Sequence, residues 1–125
     1  MPLILVIDDD EMIRKMLVTA LRSDECEVIQ AADGRTGLRK FRSGDVDVVI
    51  TDIIMPDMEG IETIRELRKI DPEARIIAFS GGGAISPEGY LKIAESMGAR
   101  YTFQKPISIK KLKAAVEELL EEGKD

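Results

Sequence analysis

Five short runs rich in aliphatic and β-branched residues, separated by longer segments whose apolar residues recur every three or four positions, leave few folds open to this chain. The runs are Leu3 to Ile7, Glu27 to Ala31, Val46 to Thr51, Arg75 to Phe79 and Tyr101 to Phe103, and each has the length and composition of a strand. Between the first two, Ile13, Met16, Leu17, Ala20 and Leu21 fall on one face of a helix that begins near Glu11. Ile61, Ile64, Leu67 and Ile70 mark a third helix, and Ile109, Leu112, Val116, Leu119 and Leu120 a fifth. The second, Gly34 to Arg42, has only Leu38 and Phe41 as anchors and carries Gly37, so propensity makes it the weakest and the most mobile. Ser86 before Pro87 has the form of an N-cap opening a fourth helix, with Tyr90, Leu91, Ala94 and Met97 along it and Gly98 ending it. Strict alternation of strand and helix predicts an α/β fold whose parallel sheet has helices on both faces. The unbroken apolar runs Leu3 to Ile7 and Val46 to Ile50 are its covered central strands.

A chain of 125 residues has room for one compact domain, and the expectation is a single unit over 1–125. Its net charge of −6 argues against direct nucleic-acid binding, which needs a surplus of Lys and Arg on some face. No apolar stretch approaches the roughly 18 residues of a membrane span. Met1 and Pro2 lead into a short apolar run that ends in Asp8, Asp9 and Asp10, unlike an export signal. The one cysteine, Cys26, sits among apolar residues, which together with the rest points to a cytoplasmic protein. The absence of histidine removes His-based triads, imidazole metal sites and any phosphohistidine donor within the chain.

In open α/β sheets the ligand site lies beyond the carboxyl ends of the strands. Those ends carry Asp8, Asp9 and Asp10 after the first strand, Asp52 after the third, Ser80 after the fourth, and Lys105 with Pro106 after the fifth. Carboxylates 4 Å apart repel by about 4 kcal/mol per pair at an effective dielectric near 20, so gathering them calls for positive charge. A hard divalent cation, Mg2+ or Mn2+, takes oxygen ligands and recruits phosphate oxygens, and Lys105 adds a point charge suited to phosphate. A carboxylate is also a competent nucleophile toward phosphorus, which singles out Asp52, with Ser80 as hydrogen-bond donor to the product. The plainer reading of Asp8 to Asp10 is a turn that caps the first helix; of Asp52, an ordinary turn residue; of Lys105, a solvated charge.

Taken together, these residues resemble the receiver domains of bacterial response regulators, and the likeness spans essentially the whole chain. Val6-Ile7-Asp8-Asp9 resembles the family's acidic pair, Thr51-Asp52-Ile53-Ile54-Met55-Pro56 its phosphoacceptor segment, Ser80 its hydroxyl position, and Lys105-Pro106 its lysine and following proline. The resemblance implies a flavodoxin-like sheet of order 2-1-3-4-5 and a cis bond before Pro106. It implies metal ligation by Asp9, Asp52 and the Ile54 carbonyl, with Asp8 acting through water. It also implies a histidine kinase or histidine phosphotransfer protein as donor, and a downstream protein met by helix four, strand five and helix five.

Departures from the family pattern are specific. Thr102 stands where receivers usually place Tyr or Phe, Ser80 replaces the commoner Thr, and Gly81 and Gly82 follow it; Ile54 and Gly82 hold the two positions that commonly tune phosphate lifetime. The triple glycine at 81–83 lacks the Gly-Lys-Ser/Thr ending of a nucleotide loop and is expected to let the segment after Ser80 shift. An aspartate-nucleophile phosphatase is the alternative, but Asp8-Asp9-Asp10-Glu11 does not supply that family's Asp-x-Asp-Gly-Thr. A flavin module of the same topology is disfavoured by the 4% aromatic content and by the lack of a hydroxyl-rich phosphate loop after the first strand.

Overall fold

The computed structural model describes residues 1–53, 60–80 and 87–123. Strands β1 (Leu3–Ile7), β2 (Glu27–Ala31), β3 (Val48–Asp52), β4 (Ile76–Ser80) and β5 (Tyr101–Gln104) alternate with helices α1 (Glu11–Leu21), α2 (Gly34–Ser43), α3 (Gly60–Ile70), α4 (Pro87–Ser96) and α5 (Ile109–Glu122). All strand pairs are parallel, in the order β2-β1-β3-β4-β5, so the expected architecture holds.

Because side chains alternate along a strand, the sheet feeds two separate cores. Leu5, Ile7, Val49, Ile76 and Ala78 pack with Leu38 and Phe41 of α2, Ile64 and Leu67 of α3 and Ala94 of α4. Ile4, Val6, Val48, Ile50, Ile77 and Phe79 pack with Leu17 and Leu21 of α1 and Leu112, Val116 and Leu119 of α5. The central strands β1, β3 and β4 are buried along almost their whole length, which is why their sequences are apolar at successive positions rather than at alternate ones.

Strand boundaries differ slightly from the sequence reading, for identifiable reasons. Strand β3 starts at Val48 rather than Val46, because Asp47 bonds Leu3 with both groups: its amide donates to the Leu3 carbonyl (2.8 Å) and its carboxylate accepts from the Leu3 amide (2.8 Å). At its other end the ladder extends to Asp52, which pairs with Phe79. Gly37, weighed above as a weakness of α2, has a packing reason: a Cβ there would stand 2.4 Å from the Ile7 side chain, so its absence lets the helix lie close on β1. Gly98 takes φ +99° beyond the end of α4, as expected of a helix-ending glycine. The expected cap at Ser86 and the glycine run at 81–83 lie outside the described residues.

Candidate functional site

Parallel strands all deliver their C-terminal ends to one edge, and the residues singled out at those ends meet there. Asp8 is buried, Asp9 exposed and Asp52 almost fully buried, and one carboxylate oxygen from each lies within 4.8 Å of the others. Lys105 reaches in from the end of β5. Its Nζ stands 3.1 Å from Asp52 Oδ2 and 3.6 Å from Asp8 Oδ2, and 5.3 Å from the centre of the buried Phe79 ring. The backbone ties these ends together, with the Ile53 amide donating to the Phe79 carbonyl and the Lys105 amide to the Ser80 carbonyl, both at 3.0 Å. The Lys105–Pro106 bond is cis.

The run of three aspartates divides its labour. Asp10 is the helix cap: its carboxylate accepts from the amides of Met12 (2.9 Å) and Ile13 (3.4 Å) at the start of α1, where it also complements the helix dipole. The plainer reading therefore holds for Asp10, while Asp8 and Asp9 face the cluster. Asp8 Oδ1 accepts from the Asp10 amide at 2.9 Å, and the Asp8 amide donates to Ala31 on β2.

Electrostatics follow from this crowding. Burial pushes the Asp8 carboxyl up to about 6, with the charge of Asp52 adding to the rise and the Asp10 amide and Lys105 opposing it. Burial disfavours the charged form of Lys105, but the carboxylates of Asp52 and Asp8 outweigh it and raise the pKa of the ammonium. Among the described residues two buried side-chain polar atoms have no hydrogen-bond partner, Asp8 Oδ2 and Ser80 Oγ. Both belong to residues at this one edge, where buried polar atoms are rarely left so without a functional reason. Three carboxylates that converge, one of them with a buried oxygen that accepts no hydrogen bond, fit a hard cation, which takes oxygen ligands and offsets their repulsion. Ile54, expected to lend a carbonyl, lies outside the described residues.

Two residues at this edge were not singled out from the sequence. Gly60 opens α3 against the backbone of β3, its amide donating to the Ile53 carbonyl; a Cβ there would stand 2.2 Å from the Asp52 carbonyl oxygen and 2.3 Å from Ile53 Cα. Arg14 of α1 donates through Nη1 to the Asp8 carbonyl (2.7 Å) and through Nε to Gln30 Oε1 on β2 (3.1 Å). In the sequence, the one hint of Arg14 is a cation a helical turn after a capping acid.

Comparison with known proteins agrees with this geometry. Residues 4–117 match the family model described as the response regulator receiver domain. Chemotaxis protein CheY of Bacillus subtilis is 31% identical over 118 residues, covering 94% of this chain and 96% of that protein. Sensor kinase CckA of Brucella abortus is 34% identical over 121 residues, covering 94% of this chain but only 12% of the kinase. The crystal structure of the response regulator protein TrrA of Thermotoga maritima, in complex with Mg(2+)-BeF, superposes with a TM-score of 0.82 at 36% identity, covering 95% of this chain and 99% of that one.

Proposed function

The chain belongs to the response regulator receiver domain family of two-component systems, and on that premise we propose that Asp52 is its phosphoacceptor, within a single receiver unit over 1–125. The observation that carries this reading is a pair of buried atoms without a hydrogen bond, Asp8 Oδ2, which has only the Lys105 ammonium at 3.6 Å, and Ser80 Oγ, at the edge where Lys105 also pairs with Asp52. Asp52 offers a carboxylate oxygen to phosphorus; the bond to the donor nitrogen of a partner's phosphohistidine breaks as the new oxygen–phosphorus bond forms, and an acyl phosphate results. Lys105 places a positive charge where the phosphoryl oxygens arrive, and the Ser80 hydroxyl is the donor available to one of them. Asp9 and Asp52 would hold Mg2+ or Mn2+, with Asp8 acting through water, and the bound cation would supply charge neutralisation during in-line transfer.

The donor is a histidine kinase or a histidine phosphotransfer protein, since the chain has no histidine of its own. Its output is a change in binding to a downstream protein through α4, β5 and α5; it catalyses only its own phosphorylation and dephosphorylation. Among the described residues no helix is long and apolar enough to cross a membrane, in keeping with a cytoplasmic role. The family match sets the phosphatase reading aside.

Incubation with a small acyl phosphate and Mg2+, followed by intact mass measurement, is expected to give one phosphoryl adduct on the wild type, and none on Asp52→Asn or when the cation is chelated. Equal labelling of wild type and Asp52→Asn would remove Asp52 from this role.

A further inference from the structure

The acid of the cluster most in need of support is Asp9. Asp52 is buried at the end of β3, and Asp8, the residue after β1, is buried with its amide tied to Ala31 of β2, whereas Asp9 is exposed and lies between Asp8 and the cap of α1. The amide and Cα of Asp9 are placed by the peptide plane that joins it to Asp8, because the Asp8 carbonyl and the Asp9 amide and Cα share one rigid unit. The far end of that plane is gripped: Arg14 Nη1 donates to the Asp8 carbonyl at 2.7 Å. The same guanidinium donates through Nε to Gln30 Oε1 on β2, and Lys40 of α2 donates in turn to the Gln30 main-chain carbonyl.

We propose that Arg14 is a positioning residue for the acidic cluster, fixing the Asp8–Asp9 peptide plane and thereby the carboxylate that Asp9 presents to a divalent cation. A planar fork with several donors can bond a main-chain oxygen and a side-chain amide on different elements at once; an ammonium supplies the charge without that geometry. Arg14 touches neither cation nor phosphate in this role and acts through the backbone of Asp8. The inference rests on the functional reading above for its cation, but its geometric part does not depend on it.

Calorimetric Mg2+ titration of the intact chain should show affinity weakened by about tenfold in Arg14→Met, in the range usual for groups that orient metal ligands. Arg14→Lys should lose nearly as much, and Gln30→Met less. Phosphorylation by acyl phosphate should fall in these variants at low Mg2+ and recover at saturating Mg2+, a split that general loosening of the fold would not give. In metal-free protein, amide exchange at Asp9 and Asp10 should speed up in Arg14→Met while the melting temperature changes little. Unchanged or tighter Mg2+ binding in Arg14→Met, or an Arg14→Lys variant that matches wild type, would overturn the assignment. Should Arg14→Met fail to fold, Gln30→Met decides, its side chain being exposed. If wild type binds no Mg2+, the functional reading falls, and the metal-free exchange rates still test Arg14.

Discussion

Asp8→Asn is expected to make the metal-free protein more stable at neutral pH, by about 3 kcal/mol, while weakening its hold on Mg2+. The sign follows from the carboxyl's displacement from 3.8 to about 6 on folding, chiefly by burial. For a group whose folded pKa is raised, the favourable contribution is fully present below 3.8, where both states are protonated, and is lost as pH rises through about 6. Above that, native Asp8 carries a charge that its surroundings resist, at about 1.4 kcal/mol for each pH unit between the two values. Asparagine keeps an oxygen for the Asp10 amide and carries no charge. Urea melts across pH 4 to 8 should therefore show wild type losing stability through the middle of the range, relative to a flatter profile for the variant. Saturating Mg2+ should narrow the gap, since a ligand at ten times its dissociation constant adds about 1.4 kcal/mol to the form that binds it. A variant less stable than wild type without metal at pH 7.5 would show that Asp8 is well accommodated as an anion.

Gly60→Ala is expected to act in the opposite direction and with comparable strength. The added carbon would meet main-chain atoms of Asp52 and Ile53 at 2.2 and 2.3 Å, and backbone cannot swing aside as the end of a side chain can. Overpacking typically costs about 1–3 kcal/mol, and a clash against a central buried strand belongs at the upper end. For a domain of this size that lowers the melting temperature by roughly 10 °C. The surviving folded protein should also accept phosphate more slowly, because the displaced carbonyl is that of Asp52 itself. A melting temperature within about 2 °C of wild type would mean that α3 can back away from β3 at little cost.

Much of this was legible in the sequence, because strand ends in a parallel sheet are one-dimensional landmarks: a run of apolar residues stops and a polar one follows. Asp8, Asp9, Asp52, Ser80 and Lys105 were found that way, and β1 and β2 were delimited to the residue. What stayed hidden depends on distances across the fold. Nothing local marks Gly60 as lying against Asp52, and although a capping role was legible for the triplet of aspartates, nothing in it says that the third alone caps the helix while the first two join Asp52. The packing role of Gly37 stayed hidden for the same reason, since helix propensity is a property of the segment and the contact with Ile7 is not. The late start of β3 turns on the Asp47 side chain taking a bond at the ladder's entrance.

Since Ile53 and Lys105 donate to successive carbonyls of β4, acid, alcohol and amine hang from a single crossbar. Detaching that middle rail would scatter all three at once, so no partly melted form of this chain should keep a fraction of its reactivity, and loss of competence on heating should coincide with collapse of the sheet.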